Sequence, residues 1–273
     1  VQSHFADPAY TPASAHPSGF EQALKTTPAF AKWVQRNVRA HKQPGYAAVT
    51  LSLKRAGVAP GDATADEMDA IAQLADTYSF GELRVTHEQN LALSDVRRDQ
   101  LFALWQEAKK LSLANPTIGL ITDIIACPGG DFCSLANARS LPIAEQLAQR
   151  FDDLDYLFDL GDISLNISGC INSCGHHHIG NIGILGVDKD DKEFYQVSLG
   201  GRQGNGTRIG GIIGPSFAAD EVVDAIERIV QTYVRLRLEG EAFVEAIDRL
   251  GIAPFKAAAY GQQSAPASEA AHV

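Results

Sequence analysis

The chain holds four cysteines, and they fall into two pairs with none left over. Cys127 and Cys133 lie in A-C-P-G-G-D-F-C-S-L-A-N, and Cys170 and Cys174 in S-G-C-I-N-S-C-G-H-H-H. Both pairs sit in stretches punctuated by Gly or Pro, where backbone can bend around a bound object. Four thiolates converging on one point are the ligand set of a cubane iron–sulfur cluster. Structural zinc more often takes pairs spaced by about two to four residues. The spacers here are five and three, so the first pair is wide for a zinc knuckle. Disulfides staple small secreted domains that lack a core. A chain of 273 residues that is 45% hydrophobic can bury a core without them. The residues alone favour iron–sulfur and leave zinc or unligated structural thiols as the alternatives.

Charge and length narrow the class. With 23 Lys and Arg against 33 Asp and Glu, the net charge is −10. That balance speaks against a nucleic-acid binder and against attraction to an anionic membrane surface. The apolar run Ile118–Ala126 is interrupted by Asp123 and is far too short to span a bilayer. No signal-peptide pattern opens the sequence, so a cytoplasmic location is expected. The chain starts at Val1 and its only methionine is Met68, which suggests a piece of something longer or a processed form.

The elements that must position the cysteines divide into four stretches. Residues 1–40, of which the first 30 are rich in Pro, Ala, Ser and Thr, read as a linker or arm, with one short helix over Pro28–Arg39 that turns Trp33 inward. Residues 41–116 read strand, helix, strand, strand, helix. Tyr46–Leu53 is the first strand, and Thr64-Ala-Asp-Glu67 is a capping box opening a helix with Met68, Ile71, Ala75 and Tyr78 on one face. Glu82–Thr86 and Leu91–Leu93 are strands, and Asp95 is expected to cap a helix that buries Leu101, Leu104, Trp105, Ala108 and Leu111. That order suggests half of a ferredoxin-like α+β sandwich. Residues 117–256 carry both cysteine pairs. Ser134–Phe151 is helical in part, Ile163–Ile167 is a strand leading into the second pair, and Ile182–Val187 and Phe194–Leu199 are further strands. A Gly-rich segment over 200–214 precedes helices over Asp220–Arg237 and Ala242–Leu250. Strands alternating with helices indicate an α/β domain. Residues 257–273 lack a core pattern and read as a disordered tail.

Taken together, the motifs resemble the siroheme-dependent sulfite and nitrite reductases. The residues that carry the resemblance are C-P-G-G-D-F-C-S-L-A-N-A-R-S at 127–140 and G-C-I-N-S-C-G-H-H-H-I-G-N-I-G-I-L-G at 169–186. G-E-L-R-V-T-H-E-Q-N-L-A-L at 81–93 and Y-x-V-x-L-G-G at 195–201 support it. Within the family the chain is most similar to the C-terminal half of bacterial assimilatory sulfite reductase haemoproteins. The resemblance implies a 4Fe–4S cluster held by Cys127, Cys133, Cys170 and Cys174, with Cys174 also bridging to the siroheme iron. It implies six-electron reduction of sulfite to sulfide, or of nitrite to ammonia by the same cofactor pair. It implies a ferredoxin or flavoprotein electron donor, a small anionic substrate, and the N-terminal half of the same polypeptide as partner. Family chains carry two copies of a repeat, of which Gly45–Ser112 resembles the second. A lone half should leave an apolar face open at residues such as Val49, Leu51 and Leu83.

Other residues could touch the cofactors. Asn172 can offer its amide to the macrocycle or a sulfur, or serve as a left-handed turn residue. Arg84 occupies a repeat position that binds cofactor in the first copy of family members, and a salt bridge is the alternative. Arg202 and Arg208, in the Gly-rich segment, are candidates for carboxylate contact or for a solvated loop. His176, His177 and His178 are adjacent and would point to opposite faces of an extended backbone, so packing rather than ligation is expected. Between Asn115 and Asp188 the only Lys or Arg residues are Arg139 and Arg150, so the cluster region is poor in cations; the resemblance implies that most substrate and siroheme-carboxylate cations lie outside this chain. A non-catalytic iron–sulfur electron-transfer module is the competing class.

Overall fold

Apolar residues at helical spacing in the Pro- and Ala-rich start already build structure. In the computed structural model, which describes residues 8–261, they form α1 (Ser18–Thr26) and α2 (Pro28–Asn37). Pro28 stands at the first position of α2, where a missing amide costs nothing. Phe20, Ala23, Phe30 and Trp33 are buried. The expectation of a linker over 1–40 with a single short helix is therefore corrected for residues 18–40; residues 1–7 lie outside the described residues. Residues 8–17 are irregular yet tied down. The Tyr10 hydroxyl donates to Asp95 Oδ1 at 2.6 Å, and the Thr11 amide donates to the Tyr46 hydroxyl at 3.1 Å.

The chain divides into two compact units, with the boundary between Ile118 and Gly119. In the first, β1 (Val38–Ala40), β2 (Tyr46–Leu51), β3 (Leu83–Val85) and β4 (Leu91–Arg97) form an antiparallel sheet in the order β1-β2-β4-β3. Helices α3 (Ala65–Tyr78) and α4 (Leu101–Lys110) complete it. The capping box forms as read: the Thr64 hydroxyl accepts from the Glu67 amide, and the Glu67 carboxylate accepts from the Thr64 amide. Asp95 caps nothing. It lies within β4, buried, between the Tyr10 hydroxyl and His41 Nε2 at 3.3 Å, and α4 begins six residues later after a 3-10 turn. Val49 and Leu51 are fully buried in a core with Ile71, Leu74, Leu93 and Leu104. The open apolar face expected at these residues is thus absent there, because α2, α3 and α4 supply their partners within the same unit. Leu83 and Val85 do stay exposed, on the edge strand β3.

The second unit is built on a mixed sheet. Its strands are β5 (Ile125–Ala126), β6 (Leu165–Ser168), β7 (Ile182–Lys189), β8 (Lys192–Leu199), β9 (Gly211–Ile212) and β10 (Phe217–Ala218). The order is β10-β8-β7-β6-β5, with β9 also beside β8. β5, β6 and β7 run parallel, and β7 and β8 antiparallel. The helices are α5 (Leu141–Arg150), α6 (Leu154–Leu160), α7 (Val222–Leu236), α8 (Phe243–Leu250) and α9 (Ala253–Ala259). α7 is the main prop, burying Val223, Ile226, Val230 and Tyr233 along one face as their spacing requires. α9 corrects the disordered tail over 257–261. Phe255 and Ala259 are buried, and Arg228 donates to the carbonyls of Ala258 and Ala259. Residues 262–273 lie outside the described residues.

Trp33→Ala separates a packed α2 from a loose arm. Truncating a fully buried Trp should cost the first unit about 3–5 kcal/mol in chemical denaturation, whereas an unpacked arm would show no change.

Candidate cofactor site

Two adjacent parallel strands set the site. β5 and β6 pair Ile125 with Asn166 and Ala126 with Ile167. Because they are parallel, the loops that follow them leave the sheet at the same, carboxyl end, the usual place for ligands in α/β sheets. Cys127 follows β5 directly, and Cys170 comes two residues after β6.

Backbone hydrogen bonds stitch the two loops together. The Cys127 amide donates to the Ile167 carbonyl at 3.1 Å. The Gly169 amide donates to Cys127 Sγ at 3.0 Å, and its carbonyl accepts from the amides of Asn137 and Ala138 at 2.8 and 3.0 Å. The Ser140 hydroxyl lies 3.5 Å from the same sulfur. Close approach explains the glycines. A Cβ at Gly169 would stand 2.7 Å from the Ala138 carbonyl oxygen, and one at Gly175 only 1.9 Å from that of Ile167. Asn166, fully buried on β6, donates from Nδ2 to the Gly175 carbonyl at 3.0 Å, and the Gly175 amide donates to the Ser168 hydroxyl at 3.1 Å. The loop that carries Cys174 is thereby pinned to β6.

The four thiols are unpaired, so they form no disulfides. Cys127 and Cys170 are buried, Cys133 is half-buried and Cys174 is exposed. Among the described residues no three His, Cys, Asp or Glu side chains are grouped to hold one metal ion. A single zinc therefore finds no ready-made site there. A cubane is larger than a single ion and offers an iron to each thiolate, so its four ligands stand farther apart than those of one metal ion. Four free thiols on two mutually bonded loops are a donor set that suits it. Three large apolar side chains lie beside the cysteines and face outward: Phe132, Leu135 and Ile171 are 79%, 69% and 82% exposed.

The remaining expected residues are placed unevenly. Asn172 is exposed on the second cysteine loop, but the left-handed turn falls on Ser173, at φ 59°. Arg202 pairs with Asp248 at 3.0 Å, and Arg208 reaches the same carboxylate at 2.6 Å. Their loop meets the histidine run through backbone, the Gly210 amide donating to the His178 carbonyl at 2.8 Å. Arg84 lies in the first unit, exposed and paired with Glu82. The histidines are not extended: His177 and His178 enter a 3-10 turn after a left-handed His176. His177 is buried, and desolvation, helped by the neighbouring His178, lowers its pKa to about 4. Its ring lies against that of His178, with centroids 3.9 Å apart and planes tilted by 31°. Ser140 and Asn166 escaped the sequence reading. Ser140 precedes Leu-Pro and looks like an ordinary helix cap, and Asn166 looks like an interruption of an apolar strand.

Residues 119–265 match the family described as the nitrite and sulphite reductase 4Fe–4S domain. Residues 39–111 match the nitrite/sulfite reductase ferredoxin-like half domain. Sulfite reductase (ferredoxin) 2 of Mycolicibacterium paratuberculosis is 31% identical over 205 residues, covering 71% of this chain and 37% of that protein. The chloroplastic ferredoxin–nitrite reductase of Betula pendula is 33% identical over 195 residues, covering 66% and 31%. The chain thus spans about a third of the length of the curated relatives it matches. The solved NirA protein of Mycobacterium tuberculosis superposes with a TM-score of 0.63 at 28% identity, over 78% of this chain and 40% of that one. Dissimilatory sulfite reductase I, at 16% identity and TM-score 0.64, covers 84% of this chain and 72% of that one, and shares the fold. The matches define a redox domain of 4Fe–4S type joined to a ferredoxin-like half domain. The chain belongs to the sulfite and nitrite reductase family, and this membership implies a 4Fe–4S cluster and siroheme as cofactors.

Gly175→Ala tests the loop pinning. Its Cβ must displace the second loop from β6, so amide exchange at Gly169 and Gly175 should accelerate and stability should fall by about 1–3 kcal/mol. Gly19→Ala, where a Cβ meets nothing within 4 Å and φ is not positive, should leave exchange at those amides unchanged.

Proposed function

We propose that this chain is the cluster and siroheme platform of a reductase that takes sulfite to sulfide in six electrons. The observation that carries the reading is the pair of cysteine loops side by side at the carboxyl ends of β5 and β6, joined through Gly169. Cys127, Cys133, Cys170 and Cys174 hold the cluster. Cys174 would serve the siroheme as well as the cluster, a role that suits the one cysteine of the four that is exposed. Asn172, exposed two residues before it, would offer its amide to the siroheme, and the exposed Phe132, Leu135 and Ile171 would supply apolar contacts. When bound, the cofactors supply electron storage and the metal centre at which the substrate's bonds to oxygen are broken.

The chain's own residues position and insulate. The two basic residues between Asn115 and Asp188 are already engaged, Arg139 with Glu193 and Arg150 with Asp224 and Glu227. Cations for an oxyanion substrate and for most siroheme carboxylates therefore come from the N-terminal half of the same polypeptide. Arg84 and Arg202 add cofactor contacts by exchanging Glu82 and Asp248 for those carboxylates. Ferredoxin is the proposed donor, since the sulfite and nitrite reductases similar to this chain are named for it. No helix among the described residues is long and apolar enough to cross a membrane. The four free thiols suit the reducing cytoplasm, where we place the enzyme. Nitrite to ammonia is the second reading, because nitrite reductases match at 31–33% identity, as closely as the sulfite reductases do.

The full-length polypeptide, purified anaerobically, should contain four iron and four sulfide per cluster, as the family description requires, and siroheme. It should reduce sulfite faster than nitrite with reduced methyl viologen. A cluster without tetrapyrrole would make it an electron-transfer module, and one zinc without sulfide would overturn the reading. Cys174→Ser should abolish magnetic coupling between cluster and siroheme in Mössbauer spectra and lower turnover by more than about a hundredfold, beyond the loss from an outer-shell residue. His178→Ala should keep the coupling. Residues 1–273 alone should turn over at background, with activity restored by co-expressing the N-terminal half.

A further inference from the structure

Ser140 sits at the residue preceding α5, the position where a serine hydroxyl normally accepts an amide of the first turn. It makes no such bond. Its backbone is already helical, at φ −96° and ψ −36°, and its side chain is fully buried. The hydroxyl instead lies 3.5 Å from Cys127 Sγ, the most enclosed cysteine site of the first loop. Two glycines make room for it. A Cβ at Gly129 would come within 2.8 Å of Ser140 Oγ, and one at Gly169 within 3.1 Å. The Gly169 amide donates to the same sulfur. Cys127 thus has a backbone donor on one side and the Ser140 hydroxyl on another, with the amino end of a ten-residue helix behind the hydroxyl.

We propose that Ser140 is a redox-tuning residue, whose hydroxyl donates to the Cys127 thiolate and stabilises the reduced cluster. The inference rests on the assignment of Cys127 as a cluster ligand. A thiolate bound to iron has no proton to give, so the hydroxyl must be the donor. When the cluster accepts one electron, negative charge on its thiolates rises and the donor is held more strongly. No bond to Ser140 forms or breaks, and the hydroxyl proton stays on its oxygen. Hydrogen bonds to cluster sulfurs and burial are the levers by which a protein sets such potentials. Here α5, with its positive end at Ser140, acts in the same direction. The serine gives up its ordinary capping bond, and this diversion singles out the contact with sulfur.

The test is a redox titration of the full-length polypeptide with its cofactors, following the reduced cluster by EPR. Ser140→Ala should shift the one-electron equilibrium towards the oxidised cluster by roughly three- to tenfold, tenfold corresponding to about 59 mV. Iron and sulfide content should be unchanged. Ser140→Thr, which keeps the hydroxyl, should lie within about twofold of the wild type. Should Ser140→Ala fail to load, Ser140→Gly, permitted by the backbone, reads the same shift. A loaded variant without the hydroxyl and with the wild-type potential would overturn the role of Ser140 and leave the ligand assignment standing. A wild-type protein without any reducible cluster would overturn the ligand assignment itself.

Discussion

One residue governs the site through its backbone: Gly169. Its amide reaches Cys127 Sγ on the first loop, and its carbonyl receives two amides from the end of that loop. No residue with a Cβ could stand there, because Gly129 Cα would lie 2.8 Å from it. The contact exists only because β5 and β6 are parallel neighbours, which delivers both loops to the same edge about 4.8 Å apart. An antiparallel pair would send one loop to the far end of the sheet and separate the cysteines by the length of a strand.

A thiol-rich site so poor in Lys and Arg depends on neutral donors for its positive potential. Backbone amides and the end of α5 supply it without a full charge. Arg139 is held outward by Glu193, through its amide as well as its guanidinium. Its carbonyl accepts from the buried Tyr195 hydroxyl at 2.8 Å. Burial, with the Glu193 charge behind it, pushes that phenol well above its usual range, so it remains a donor at all ordinary pH. The single arginine next to the first loop therefore anchors the loop's end to β8, and its charge is spent locally.

What the sequence revealed followed from how local each signal was. α3 and α7 were legible because their apolar period runs over three or more turns, and the Thr64–Glu67 box marks a start without help from the fold. The cysteine motifs were legible because ligand type and spacing are sequence properties. α1 and α9 were hidden by Ala, Ser and Pro, since their identity as helices is decided by one or two anchors, Phe20 and Phe255, that find partners far away in the chain. Asp95 looked like a cap because it stands just ahead of an apolar period. Its place in β4 is set by Tyr10 and His41, 85 and 54 residues away. The left-handed residue between the second cysteines fell on Ser173 rather than Asn172, as the Ser173 amide closes a turn onto the Cys170 carbonyl at 3.1 Å. β5, only two residues long, has no period to read, although it places Cys127.

Burial orders the four thiols, and the order separates two tasks. Cys127 is enclosed by glycine backbone and Ser140, where burial lowers the dielectric and strengthens hydrogen bonds. Cys174 stands at the other extreme, exposed on a loop whose strained turn is held by Asn166 and Ser168 from below. A thiolate that must also meet a second cofactor has to face outward, and one that sets electron affinity through hydrogen bonds has to face inward. A single cysteine could not do both. Each loop carries one buried thiol, Cys127 on the first and Cys170 on the second, and the exposed Cys174 comes last, so the same end of the sheet meets both requirements.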